Sequence, residues 1–181
     1  FLLLRDLSLA QSSFEVKEIS KSLPIFTTRL PDDGILKSII ANHKQRFPNT
    51  TESNVKAWHS DWQTHKIDPQ FQYFVDLVES ACTFLCHEHF KVGKEVRMKC
   101  ENMWAMKYKE GDYAEEHDHF PSVLSCAYFV DVEDNSSPLI IEGLEIKPEN
   151  GLLVIFPGLL RHKVDPTHGP RTVISMNFRA N

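Results

Sequence analysis

The apolar and polar residues of this chain follow two periods, and the change falls near residue 95. Before it, apolar positions recur every three or four residues, the spacing of a helix face. Pro31-Asp32-Asp33 leads into Ile35, Leu36, Ile39, Ile40 and His43, which predicts a helix with an acidic start. Asp68-Pro69, an N-cap residue with proline at the first helical position, leads into Phe71, Phe74, Val75, Val78, Cys82, Leu85 and Cys86, one stripe of a second helix. Beyond residue 95 the period is two. Val96, Met98, Cys100, Asn102, Trp104, Met106 and Tyr108 alternate with mostly polar neighbours, which predicts one long antiparallel strand with that whole set on one face. Strands are predicted again over 123–131, 139–141, 144–147, 152–156, 162–164 and 171–178, and a β-like stretch is expected to begin at His117. The breaks between them are rich in Gly, Pro, Asn and Ser, as in Asp134-Asn135-Ser136-Ser137-Pro138 and Pro166-Thr167-His168-Gly169-Pro170. Many short strands divided this way predict a sandwich or jelly roll, an all-β core braced by the N-terminal helices.

Composition narrows this picture. The 181 residues, 41% hydrophobic, suit one domain over 1–181, with about 1–95 as mostly helical support and 96–181 as the β core carrying any site. A net charge of −5 and a pI near 6.0 supply no basic field, so no nucleic-acid partner is expected. Phe1-Leu2-Leu3-Leu4 is interrupted by Arg5 and Asp6, too short for a spanning helix, and no membrane association is expected. Cys82, Cys86, Cys100 and Cys126 form no C-x-x-C pair, which suggests reduced thiols and a cytoplasmic location.

The candidate chemistry lies in histidine. On a strand, His117 and His119 point the same way and Asp118 the other, so the pair can chelate, and His162 can join them from a distant strand of a jelly roll. Against this stands chance proximity among nine histidines. Arg171 follows a Gly-Pro turn on a strand where Val173, Ser175 and Asn177 share its face. An Arg fork with the Ser175 hydroxyl can hold the far carboxylate of a dicarboxylic co-substrate, and Tyr108 can add a hydrogen bond. The plain alternative is a surface salt bridge. Trp104 and Asn102, on the same predicted face as Tyr108, are candidates for a substrate pocket together with Tyr128, though each is equally a packing residue. Cys86-His87-Glu88-His89 closes a helix and has no evident partner.

These residues resemble the 2-oxoglutarate- and Fe(II)-dependent oxygenases, and more closely those of bacteria and marine phages that share an H-x-H, a distal His and an Arg. The matching stretches are Trp58-His59-Ser60, HDHFPSVLSCAYF over 117–129, GLLVIFPGLLRHKVDP over 151–166 and RTVISMNF over 171–178. The resemblance implies a cupin-like double-stranded β-helix that binds Fe(II) through His117, His119 and His162 and 2-oxoglutarate through Arg171 and Ser175, with Tyr108 and Asn177 beside them. It implies a dioxygenase that uses O2, with ascorbate as a stimulant, to hydroxylate a C–H bond while releasing succinate and CO2. The acceptor is a small molecule or a peptidyl group, a prolyl or other amino-acyl side chain included, in a bacterial or phage-infected cell. A homodimer through the N-terminal helices is open. His119 replaces the carboxylate common in the wider superfamily, with Asp118 as an alternative ligand if the strand bulges, and Phe129 stands where relatives carry Tyr. The competing readings are a three-histidine dioxygenase that does not use 2-oxoglutarate, a non-catalytic metal- or ligand-binding jelly roll, and a scaffold whose histidines are structural.

Overall fold

The computed structural model describes residues 22–31 and 34–181. In chain order the elements are β1 (Phe26–Arg29), α1 (Ile35–Arg46), β2 (Val55–Lys56), β3 (Trp58–His59), α2 (Thr64–Ile67), a 3-10 turn (Pro69–Phe71), α3 (Gln72–Glu88), β4 (Met98–Tyr108), β5 (Tyr113–His117), β6 (Leu124–Val132), β7 (Leu139–Ile141), β8 (Leu144–Ile146), β9 (Leu152–Pro157), β10 (His162–Val164) and β11 (Arg171–Ala180). Two antiparallel sheets face each other, a larger one in the order β1-β9-β6-β11-β4-β3 and a smaller one in the order β2-β5-β10-β7-β8. This is the double-stranded β-helix, a jelly roll, braced by helices as expected.

Alternation divides each strand of the larger sheet between two cores. Ile174, Met176 and Phe178 of β11 join Phe74, Val75, Val78 and Cys82 of α3 in the layer under the helices. Val173, with Trp104, Met106, Phe129 and Phe156, meets Ala114, Leu139, Ile141 and Val164 of the smaller sheet. The α3 stripe matches its predicted positions. Asp68 caps the 3-10 turn that starts it, its Oδ1 accepting the Gln70 N–H at 3.3 Å, as N-cap chemistry requires. Asp68 is 2% exposed and also pairs with Arg46 and His43, which locks α1 to this turn.

The mostly helical front half also carries β1, β2 and β3, which are too short to show a period, and β1 is held by pairing with β9, far along the chain. Two expectations need correction. The α1 start is capped by Gly34 with φ 70°, with no acidic residue in its first turn, and Asp32 and Asp33 lie outside the described residues. The single face predicted for β4 is broken. Asn177 pairs with Asn102 but Phe178 pairs with Cys100, so Glu101 is an extra residue, a bulge. Met98 and Cys100 therefore pack under the helices together with Met103 and Ala105, while Trp104, Met106 and Tyr108 face the interior between the sheets.

Candidate metal and anion site

The three histidines meet because of strand register and one tight loop. His117 is the last residue of β5, not the start of a strand, and pairs directly with His162 on β10. His119 lies beyond the strand in the loop before Phe120-Pro121. Its N–H donates to the Gly158 carbonyl at 2.7 Å and its own carbonyl accepts the Ser122 N–H at 2.9 Å. Gly158 permits this approach, since a Cβ there would stand 2.2 Å from the Ser122 oxygen. The metal-capable atoms of His117, His119 and His162 all lie within 4.8 Å of one another. Their ring centroids are 4.2 to 5.0 Å apart, so modest rotation brings three nitrogens onto one ion. Asp118 is not among them: its Oδ1 accepts the Phe120 N–H at 3.0 Å and turns the loop.

Hydrogen bonds choose the tautomers. His117 Nδ1 faces the Glu115 carbonyl at 2.7 Å, and His162 Nδ1 faces the Leu160 carbonyl at 3.1 Å. A carbonyl only accepts, so each Nδ1 carries the proton and each Nε2 keeps its lone pair for a metal. Burial, with the neighbouring imidazoles next, pushes His119 down to about 3. Burial and His117 take His162 down to about 4, and burial lowers His117 as well. The triad is therefore neutral at physiological pH, the state in which histidine ligates.

The same cavity, about 590 Å³ of empty space including its open mouth, is lined by the triad, Tyr108, Trp62, Trp104, Phe129, Ser175 and Arg171. Arg171 is 3% exposed. Its Nη1 donates to the Ser137 carbonyl at 2.7 Å, its guanidinium lies 4.6 Å from the centre of the Tyr108 ring, and its buried Nε has no partner. Among the described residues no carboxylate pairs with it, and none lines the cavity. Burial lowers its affinity for the proton, yet a guanidinium stays charged in proteins. Tyr108 is held neutral by burial, with Arg171 acting in the opposite sense. A buried cation with an idle donor is a costly feature unless an anion completes it.

The other sequence candidates divide. Ser175 lines the cavity two rungs from Arg171, opposite Trp104, whose ring lies 5.6 Å from that of His119. Ser175 thus sits toward the metal end. Asn177 and Asn102 pair across β11 and β4 in an outer polar groove that shares His119 with the cavity, and Asn177 Oδ1 accepts the Ser125 hydroxyl at 2.8 Å. Tyr128 is not a pocket residue: it sits on the other face of β6, its ring 4.8 Å from Phe74 under the helices, and Phe129 takes the cavity side. His87 bonds to the Val96 carbonyl and His89 packs on Phe26, so neither joins a metal cluster. Sequence reasoning passed over Ser137 and Thr167, which support Arg171 from two turns. Their signal was only turn composition.

Comparison with protein-family models found no match, and neither did comparison with curated protein sequences. Solved structures do match. A Pseudomonas putida prolyl-4-hydroxylase superposes with a TM-score of 0.65 at 14% identity, over 86% of this chain and 91% of that one. The chain shares the fold of this enzyme. A viral collagen prolyl hydroxylase from Paramecium bursaria Chlorella virus-1, solved with 2-oxoglutarate, matches with a TM-score of 0.61 at 16% identity, over 87% and 96% of the two chains. HygX from Streptomyces hygroscopicus, solved with nickel, 2-oxoglutarate and hygromycin B, matches with a TM-score of 0.60 at 7% identity, over 85% and 82%. The superpositions span 85 to 87% of this chain.

Proposed function

We propose that the protein is an Fe(II)- and 2-oxoglutarate-dependent dioxygenase that hydroxylates a C–H bond of a second substrate, releasing succinate and CO2. The observation that carries this reading is the pairing, in one cavity, of three neutral imidazoles with a buried, unneutralised Arg171. Three nitrogen donors on adjacent positions suit a divalent first-row metal and leave further positions open. When bound, Fe(II) supplies activation of O2 and a chelation point for the keto acid end of 2-oxoglutarate. His117, His119 and His162 are its ligands in this reading. Arg171 holds the far carboxylate: Nη1 is engaged by Ser137, so the Nε edge is the one free for a carboxylate. Tyr108, neutral and against the guanidinium, can donate to the same carboxylate. Phe129, Val173 and Met106 exclude water around the carbon chain. A dianionic ligand also answers the charge of the site, which has no acidic lining.

Ser175 and Trp104 stand at the metal end and Asn102 and Asn177 at the mouth, so the second substrate enters through the outer groove past His119. Solved structures of this fold include prolyl hydroxylases, a collagen prolyl hydroxylase among them, and HygX with its bound hygromycin B, and a peptidyl or small-molecule acceptor is the corresponding assignment here. The cysteines are free thiols, which supports work in a reducing compartment such as the cytoplasm. A three-histidine dioxygenase without 2-oxoglutarate leaves the buried Arg171 without a purpose. The test is succinate formation from 2-oxoglutarate by iron-loaded protein in air with ascorbate. Succinate that requires both His162 and Arg171 is expected. Iron binding without succinate at any 2-oxoglutarate concentration contradicts the proposal.

A further inference from the structure

Two turns distant in sequence, 134–138 and 166–170, carry three buried residues whose hydroxyls the chemistry above does not use: Ser136, Ser137 and Thr167. Thr167 is 1% exposed, and each of its polar groups is spent. Its N–H donates to the Asp112 carbonyl at 2.9 Å and its carbonyl accepts the Gly111 N–H at 2.8 Å, which ties it to the loop between Tyr108 and the His117 strand. Its hydroxyl accepts the Ser137 N–H at 3.1 Å and donates to the Gly169 carbonyl at 2.8 Å. Ser137 returns a bond from its own hydroxyl to the Pro166 carbonyl at 3.1 Å, and Ser136 reaches the Gly169 and Pro170 carbonyls at 3.1 and 3.0 Å. A Cβ at Gly169 would stand 1.9 Å from Asn135 Oδ1 and would push that side chain aside.

The residue whose N–H is fixed by Thr167 is the one whose carbonyl takes Arg171 Nη1 at 2.7 Å. We infer that Thr167, acting through Ser137, is a positioning residue that aims the free Nε edge of Arg171 at the co-substrate carboxylate. The inference rests on the proposed oxygenase function. Its chemistry is specific. The hydroxyl must accept from one turn and donate to the other at once, which Ser can do and Val, of the same shape, cannot. Without it the Ser137 N–H is left buried and unpaired, the backbone at Ser137 shifts to relieve it, and the Ser137 carbonyl in the following peptide, the anchor of the guanidinium, shifts with it. Nothing in this chain of bonds touches the histidines, so co-substrate affinity and metal affinity should separate.

The test measures three quantities on full-length wild type, Thr167→Val and Thr167→Ser under anaerobic conditions: melting temperature, Fe(II) affinity, and the affinity of the iron-loaded protein for 2-oxoglutarate, read from the absorption band that grows on titration. Loss of one directing hydrogen bond should weaken 2-oxoglutarate binding in Thr167→Val by about tenfold. Fe(II) affinity should stay within about twofold, and Thr167→Ser should restore most of the loss. Wild-type 2-oxoglutarate affinity in Thr167→Val overturns the inference, as does equal weakening of Fe(II) and 2-oxoglutarate binding, the mark of general loosening. Should Thr167→Val fail to fold, the smaller Thr167→Ala, which also removes the acceptor of the Ser137 N–H, gives the same split or overturns the inference. A wild type that binds iron and no 2-oxoglutarate overturns the functional reading itself, a result distinct from the others.

Discussion

The two faces of the large sheet use the same strands to opposite ends. On the helix side, Ile174, Met176 and Phe178 of β11 are each fully buried among apolar residues of α1, α3, β4 and β6, and the thiols there are inert, with burial pushing Cys100 up to about 12 and Cys82 and Cys126 upward as well. On the inner side, the alternate residues include Arg171 and Ser175, and Trp104 Nε1 and Arg171 Nε are buried without partners. The difference separates the two tasks of the sheet. The helix face stabilises the fold through apolar packing, with the indole Nε1 of Trp58 unpaired there as that of Trp104 is on the inner side, whereas the inner face alone leaves a buried guanidinium donor unsatisfied, a cost that a bound anion would offset.

That contrast can be broken most sharply at the inner face. In the proposed function Arg171→Leu removes two charge-assisted hydrogen bonds to the co-substrate, so 2-oxoglutarate affinity should fall by more than about 100-fold while the metal-free protein melts no lower than wild type. Anaerobic titration and thermal melts read both. His162→Ala removes a direct ligand and should weaken Fe(II) binding by more than the roughly 100-fold typical of losing an outer-shell partner, measured with a competing chelator. At the helix face the pattern inverts. Phe178→Ala should cost about 3–5 kcal/mol in denaturant unfolding and leave the affinities of the remaining folded protein within about twofold. Tyr128→Ala should behave the same way, and a selective loss of ligand affinity there would return Tyr128 to the pocket.

Smaller effects follow from protonation. His119 and His162 are held down to about 3 and about 4 when folded and titrate near 6.5 when unfolded. Between those values the unfolded chain binds more protons, so stability rises with pH across that window, is complete above about 6.5 and is lost on acidification. Taking metal-free protein from pH 6.5 to 5 should cost about 2 kcal/mol for each of these imidazoles. Denaturant curves at both values, compared with a variant carrying Asn at all three histidines, isolate that contribution. The smallest effect expected is at the thiols: Cys82, Cys86 and Cys126 are buried, and iodoacetamide should label them only after unfolding.

Much of this was legible in the sequence, for identifiable reasons. The strands of the second half are bounded by Gly, Pro, Asn and Ser, residues whose turn chemistry is local, and except for β5, which ends at His117 instead of beginning there, the observed ends fall within a residue or two of those expected. The Arg171, Val173 and Ser175 face held because β11 alternates regularly across them. What failed was non-local. The bulge at Glu101 depends on how β11 lies against β4, so no alternation within β4 alone shows that Met98 and Trp104 face opposite ways. Tyr128 was misplaced because an aromatic residue in a strand buried on both faces carries no mark of which side it takes. His119 reaches the metal cluster from a loop anchored on Gly158, not from the strand face that its spacing to His117 implied. The support of Arg171 by Ser137 and Thr167 joins turns that only the closed fold brings together.

The central claim is that the inner face joins a three-histidine metal site to a carboxylate site centred on Arg171. Anaerobic titration of the Fe(II)-loaded protein with 2-oxoglutarate, followed by its metal-to-ligand absorption band in wild type and in Arg171→Leu, tests it most directly. A saturable band in wild type that shifts to far higher 2-oxoglutarate concentration in Arg171→Leu is the expected result. No band in wild type, or an identical titration in the two proteins, would contradict it.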